Sequence, residues 1–372
     1  MRQGTKRFAS AAIVAAALLR SAAAAPPPVP LEYFGLHIHH AESLARWPDV
    51  PFGSWRLWDA GVNWAQLEPS RGKWDFTRLD KLVALAKDHN QDLLLPLAAP
   101  PRWASARPDD PGALGPGMAA EPANLDDWRD YVATVARRYR GTIHHYEIWN
   151  EPSDKSFYTG SVETLVRLTC EASRLLKEID PANAVTSPSS AGGGRHIAYL
   201  DEFLAKGGKD CVDIIGHHFY VFQHPPEAMV PLIREVRAVM KKNGVADKGL
   251  WNTETGWWIA NADDGHYAPW ITKGGWTKLE REHQAGDYVL HALLLARAEG
   301  VGRFFWYAWN NDSMGMIEPA GGADKPMAQA WREAVDLLVG ATDVQCAQQG
   351  REWTCTLKRG DGRPARVAWT GE

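Results

Sequence analysis

The stretch His145-Tyr146-Glu147-Ile148-Trp149-Asn150, the run 162–179, the short Pro181-Ala182-Asn183 and then Ala184-Val185-Thr186-Ser187-Pro188 decide how the chain folds. Within 162–179, Val162, Leu165, Leu168, Ala172, Leu176 and Ile179 recur at intervals of three and four, the period of a helix with one buried face. The flanking runs are too short for helices and read as strands. A strand, a helix and a short return to a second strand make one βα unit of a parallel sheet. The same alternation extends in both directions. Further strand candidates are 33–40, 54–59, 93–98, 212–220, 250–254 and 303–309, and helical patterns run over 76–89, 126–139, 197–206, 226–243, 279–299 and 326–339. Eight parallel strands with intervening helices close into a (β/α)8 TIM barrel of the α/β class, here spanning 30–340.

Loop lengths point to one end of that barrel. Helix-to-strand returns are short, whereas 99–125 and 255–278, which follow the third and seventh strands, are long, and the latter carries Trp257, Trp258, Tyr267, Trp270 and Trp276. Long connections in a (β/α)8 barrel gather at the carboxyl ends of the strands, where such proteins place their sites. Beyond the barrel, 341–372 reads as short β pieces at 342–347, 353–358 and 365–370, a small extension packed on the barrel. Residues 1–25, with Arg2, Lys6 and Arg7 ahead of an apolar run and small residues after it, read as an export signal and place the mature protein in the periplasm or outside the cell. The apolar run is too short to span a bilayer, and no other segment reads as a span. Export permits disulfides. Cys346 and Cys355 flank a turn at Gln348-Gln349-Gly350 and suit a bridged hairpin, while Cys170 and Cys211 are either bridged or buried thiols.

Forty-one basic against forty-five acidic residues leave a net charge of −4, which gives no electrostatic case for nucleic acid or an anionic membrane surface. The outlier is 18 Trp, whose flat amphipathic rings suit a ligand with apolar faces and polar edges, such as a sugar. At the mouth of the barrel the fourth strand ends in Ile148-Trp149-Asn150-Glu151-Pro152 and the seventh in Asn252-Thr253-Glu254-Thr255-Gly256-Trp257. Two carboxyl groups facing each other across that mouth are what cleavage of a glycosidic bond requires. Trp149-Asn150-Glu151-Pro152, Thr253-Glu254-Thr255-Gly256-Trp257 and, on the sixth strand, His218-Phe219-Tyr220 resemble the motifs of clan A glycoside hydrolases, most closely family 39, as an ordered series over roughly 33–340. The resemblance implies that Glu151 is the acid/base, Glu254 the nucleophile and Asn150 a ligand of the sugar 2-hydroxyl, and a retaining mechanism implies carboxyl groups about 5–5.5 Å apart.

The residues themselves fit those roles. His218 and Tyr220 share a strand face by the two-residue alternation, and a phenol beside Glu254 can hold its carboxylate. Arg56, central in the second strand, sets a permanent cation near the nucleophile and lowers its pKa, or else forms a structural pair with Glu147 or Asp59. The charge of Glu254 is expected to raise the pKa of Glu151, which must start protonated. Glu147 shares a face with Glu151 but sits deeper and needs a donor such as Arg56 or a water. His37 and His39 on the first strand and Trp309 on the eighth are expected to line the subsite for the cleaved sugar, with Trp257 and its neighbours extending that surface. His144 and His145 belong at the bottom of the barrel as structural groups.

The reading is an exported retaining β-glycosidase, endo-acting on an exopolysaccharide, with an exo-acting β-xylosidase as the alternative and a non-catalytic glycan-binding barrel behind both. The partner is a carbohydrate. No metal or organic cofactor is called for, because acid/base and nucleophile are side chains and no cysteine has metal-site spacing with histidine. The short extension departs from the longer accessory β region common in family 39 xylosidases.

Overall fold

The computed structural model describes residues 27–44, 46–263 and 267–371, so the expected export signal lies outside the described residues. Eight strands build the cylinder: β1 Phe34–Leu36, β2 Ser54–Arg56, β3 Asp92–Leu97, β4 His145–Ile148, β5 Ala184–Thr186, β6 Ile214–His218, β7 Gly249–Thr255 and β8 Arg303–Trp306. Each pairs in parallel with its neighbours in the order β5-β4-β3-β2-β1-β8-β7-β6, and Thr186 pairs with Ile214 to close β5 on β6. This is the (β/α)8 barrel. Its long helices are α1 Thr77–Asp88, α2 Leu125–Arg138, α3 Val162–Ile179, α4 Arg195–Ala205, α5 Met229–Lys242, α6 Gln284–Ala298 and α7 Pro326–Leu338. Among its described residues the first crossover has only a 3-10 turn at Ala41–Ser43.

The helices start and bury as their sequences dictate. Asn124 caps α2 by accepting from the Asp126 N–H, and Ser161 caps α3 by accepting from Thr164. In α3 the buried residues include Val162, Leu165, Leu168, Ala172 and Leu176, the face that the period of three and four marks out.

Inside the cylinder the filling is layered. Leu94, Ile214, Trp251 and Phe305 come from β3, β6, β7 and β8, yet they touch one another, which is possible only across the interior. Gly35 makes room for this layer, since a Cβ there would collide with the Phe305 ring. Above it the filling turns polar, with Arg56, Glu147, Ser189 and Thr253 all buried.

Several strands stop short of their sequence patterns at the carboxyl end, whereas β7 runs one residue beyond its pattern at each end. β1 stops at Leu36, β2 at Arg56, β4 at Ile148 and β8 at Trp306, so His37 to His40, Leu57 to Asp59, Trp149 to Asn150 and Tyr307 to Trp309 belong to the mouth. There the backbone turns to partners outside the regular ladder. The Glu151 N–H donates to the Ser189 carbonyl at 2.8 Å, and the Trp309 N–H to the His37 carbonyl at 2.8 Å.

The extension is an antiparallel sheet of β9 Thr342–Gln349, β10 Glu352–Lys358 and β11 Pro364–Thr370. Cys346 pairs with Cys355 across its first hairpin, and a disulfide joins them. The sheet buries Trp353, Cys355 and Leu357 and lays the Trp369 ring on His291 of α6, centroids 3.9 Å apart. A second disulfide, Cys170–Cys211, ties α3 to the turn before β6. Among the described residues no helix is long and apolar enough to cross a membrane.

Candidate active site

The polar layer is organised by one cation. Arg56 is buried, with Nε 2.6 Å from Glu147 Oε2, one terminal nitrogen 2.8 Å from Glu254 Oε2 and the other 2.8 Å from Asn150 Oδ1. It therefore pairs with Glu147 and with Glu254 rather than with Asp59. Ser189 supplies the second donor to Glu147, at 2.5 Å, and itself accepts from the Thr253 hydroxyl at 2.8 Å. Three planar donor positions of one guanidinium thus fix β2, β4 and β7 relative to one another, which a lysine cannot do.

Glu151 and Glu254 stand over this layer. Glu254 is the sixth residue of β7, and its Oε1 accepts from the Tyr220 hydroxyl at 2.8 Å. Glu151 is raised on a bent strand end. Trp149 and Glu151 both have left-handed backbones, φ 69° and 45°, a conformation costly for large side chains and met chiefly at functional sites. The bend is held by pairing of Asn150 with Ser189 and by the Trp149 indole N–H donating to the Phe157 carbonyl at 2.8 Å. Glu151 Oε1 lies 2.8 Å from His218 Nδ1. One oxygen of Glu151, one oxygen of Glu254 and one nitrogen of His218 all fall within 4.8 Å of one another.

The two acids differ in their neighbours. Burial pushes the Glu151 carboxyl up to about 7, with Asp154, Asp59 and Glu147 adding to the rise and Arg56 opposing it. The expected cause was the charge of Glu254; removal from water is the larger one. Burial lowers His218 to about 4, so the group bonded to Glu151 is neutral near neutral pH. Burial also raises the Glu254 carboxyl, against the pull of His218, His37 and Arg56. The expected lowering by Arg56 is therefore real but outweighed. Of the two, Glu254 alone bonds a permanent cation directly, so the first charge of the pair settles there and Glu151 keeps the proton. Tyr220, with its pKa raised far up by burial and by Glu254, stays a neutral donor.

Both acids open onto a cavity of about 590 Å3. Trp58, Asp59 and Tyr307 line it on one side, Ser153, Asp154, Arg195 and His196 on another, and Phe222, Trp270 and Trp276 at the rim. Trp270 is 51% exposed, and its ring meets that of Trp276 at 5.8 Å.

The structure brings together Glu151, Glu254, Asn150, Arg56, His218 and Tyr220. Four expected lining residues are placed otherwise. His37 and His39 stand behind Asp59 rather than in the cavity wall: His37 Nδ1 is 3.0 Å from Asp59 Oδ2, and the His39 ring packs edge-on to Tyr307 at 5.3 Å. Trp309 is fully buried outside the lining, because β8 has ended at Trp306 and the two-residue alternation no longer applies; Tyr307 takes that wall. Trp257 is also buried, its indole N–H on the His224 carbonyl and its ring stacked on Trp306 at 5.6 Å. The sequence reading did not single out Asp59, Tyr307, Trp58, Phe157, Phe222, Ser153 or His196 as site residues. Only Trp270 and Trp276, among the loop aromatics it named, line the cavity.

His37, Asp59 and Glu254 also have ligating atoms within 4.8 Å of one another. The guanidinium of Arg56 already faces Glu254 with a fixed positive charge, which disfavours a divalent cation between these groups.

The family model Glyco_hydro_42, described as beta-galactosidase, matches residues 58–113. A comparison with curated proteins found no match. Among solved structures, the chain resembles a family 39 glycoside hydrolase from Bacteroides cellulosilyticus WH2 at TM-score 0.68 and 18% identity, covering 92% of this chain and 71% of that one. It resembles a monomeric beta-xylosidase from Caulobacter crescentus CB15 at TM-score 0.67 and 18% identity, over 89% of this chain and 74% of that one. A GH39 enzyme from Xanthomonas axonopodis pv. citri superposes at TM-score 0.64 and 19% identity, over 90% and 73% of the two chains. At these identities the likeness is one of fold: this chain has the barrel that family 39 glycoside hydrolases have.

Proposed function

We propose that the protein is an exported retaining β-glycosidase that hydrolyses a polysaccharide or oligosaccharide through a covalent glycosyl-enzyme intermediate. The observation that carries this is the approach of Glu151 and Glu254, with oxygens within 4.8 Å over a cavity of about 590 Å3. Retaining enzymes hold their carboxyl groups about 5–5.5 Å apart, whereas inverting ones leave about 6.5–9.5 Å for a water. Glu254, carrying the charge beside Arg56 and held by Tyr220, attacks the anomeric carbon. Glu151 gives its proton to the leaving oxygen. The ester at Glu254 is neutral, so Glu151, now without a charged neighbour on that side, takes a proton from water, which cleaves the ester. Asn150, oriented by Arg56, is placed to bond the 2-hydroxyl.

Endo action on an exopolysaccharide is the favoured mode. An exposed Trp270 and an aromatic rim of Phe222 and Trp276 suit sugar units beyond the one that is cleaved. The likeness to a structure described as a beta-xylosidase supports exo action on xylosides as the second reading. Residues 1–25 and the two disulfides fit the periplasm or the cell exterior.

The test is covalent trapping. A dinitrophenyl glycoside fluorinated beside the anomeric carbon is expected to add the mass of one fluorosugar to Glu254, and Glu254→Ala to lower kcat by on the order of 10⁴. A labelled peptide without Glu254, or a fully active Glu254→Ala enzyme, overturns the reading. Chain lengths released from a defined oligosaccharide separate endo from exo action.

A further inference from the structure

Asp59, a charged group in the cavity wall beside the nucleophile, has no part in that mechanism. Asp59 lies in the turn Trp58–Ala60 that follows β2, and both its oxygens are engaged: Oδ2 from behind with His37 Nδ1 at 3.0 Å, Oδ1 with the hydroxyl of its neighbour in the wall, Tyr307, at 3.3 Å. His37 is in turn fixed by its Nε2, 3.2 Å from the Thr253 carbonyl one residue before Glu254. A carboxylate accepts about four hydrogen bonds, so this clamp orients Asp59 and leaves acceptor capacity toward the cavity that it lines. Burial raises its carboxyl, and the His37 hydrogen bond with the His39, His37 and Arg56 neighbours outweighs that and holds it below the usual range, so Asp59 is charged.

Its side of the scissile bond follows from the two acids. A nucleophile attacks the sugar that it keeps, the glycone, and an oxygen of Asp59 lies within 4.8 Å of one of Glu254. Ser153 and Asp154 follow Glu151 in the chain, and Ser153 bonds His196 at 2.7 Å, so those residues flank the acid and the leaving group. Asp59 therefore faces the glycone.

We infer that Asp59 is a specificity-determining residue that accepts a hydrogen bond from a free hydroxyl of the glycone. The substrate class is then a sugar that is unsubstituted at that position: an acyl ester there removes the donor, and a uronic carboxylate turned to this wall meets Asp59 and Glu254 together. The inference rests on the glycosidase reading above, and the test separates the two. Wild type, Asp59→Ala and Asp59→Asn are compared on dinitrophenyl β-xyloside, its monodeoxy analogues and the matching β-glucuronide. In the wild type, deoxygenation at one ring position should lower kcat/KM by about 100-fold or more, since a site built to bond a hydroxyl rejects the analogue lacking it. In Asp59→Ala that penalty should fall to about threefold while the other positions keep theirs, and Asp59→Asn should raise glucuronide relative to xyloside by about tenfold, about 1.4 kcal/mol. An unchanged deoxy profile and an unchanged glucuronide ratio overturn the inference while the wild type still turns over. If the wild type neither turns over nor labels Glu254 on these probes, nor on fluorinated glycosides of other sugars and of oligosaccharides, the glycosidase reading fails and the inference with it. Should Asp59→Ala not fold, Asp59→Asn and the glucuronide ratio decide.

Discussion

The two ends of this barrel hold the same residue types and use them in opposite ways. At the amino end Asp92 opens β3, His145 opens β4 and Arg303 opens β8. His145 Nδ1 lies 3.1 Å from Asp92 Oδ1, Arg303 is 2.5 Å from Asp92 Oδ2, and the guanidinium sits 4.2 Å over the Trp251 ring. Each charge has its opposite. Burial raises the Asp92 carboxyl, and His145 and Arg303 overcome it and hold the group below its usual range. At the carboxyl end Arg56 serves two carboxylates, and Glu151 is left with a neutral histidine and a pKa of about 7. An acid denied a counter-ion loses stability and gains a proton that can be moved near neutral pH. Conservative pairing marks the end that holds the cylinder together; withheld pairing marks the end that carries the candidate site.

That contrast can be broken experimentally, beginning with the cations. Replacing Arg56 by Met leaves Glu147 and Glu254 buried without their cation, and is expected to destabilise the protein by about 3–5 kcal/mol in denaturant unfolding, whereas Arg303→Met at the partly exposed base should cost about 1 kcal/mol. Equal losses at the two ends would show that the mouth is paired for stability after all. The next effect is one of pH. In the proposed mechanism Glu151 must be protonated to act as an acid, so kcat/KM should fall about tenfold for each unit above about pH 7, a limb set by its raised carboxyl. A profile flat to pH 9 would assign the proton to another group. The smallest effect belongs to the base. Asp92→Asn should leave kcat/KM within about twofold and lower stability by about 1 kcal/mol at neutral pH. Because the Asp92 carboxyl is held below its unfolded value of about 3.9, its contribution is present above that pH and fades as the pH falls through the lower folded value, so wild type and variant should converge in strong acid.

The comparison also shows why parts of the site were legible and others not. Glu151, Glu254, His218 and Tyr220 sit in or directly beyond strands whose apolar runs announce them, and the two-residue alternation correctly puts His218 and Tyr220 on one side. Arg56 was legible for the same reason, as a cation in the middle of a buried strand. Asp59 fails that rule. It lies three positions after Arg56, which an extended chain would turn away from the interior, and only the 3-10 turn at Trp58–Ala60 swings it back to the mouth. Tyr307 and Trp309 invert the same lesson: an aromatic run gives no sign of where β8 stops, so the larger ring was chosen and the smaller one lines the cavity. Trp257 and Trp270 stand in one loop, and nothing in their spacing says that the first packs on Trp306 while the second is left half in solvent.

By itself the sequence determined the number and order of the strands, the amphipathic helices between them, the bridged hairpin of the extension and the two acids at the rim, because each is written in local periodicity or in adjacent residue types. The tertiary structure alone decided how far apart those acids stand, that burial rather than mutual repulsion lifts the proton of Glu151, that Cys170 reaches Cys211, and which side chains face the cavity. Those are distances and exposures between residues remote in the chain. They are fixed by how eight twisted strands close on one another, and no window of sequence contains them.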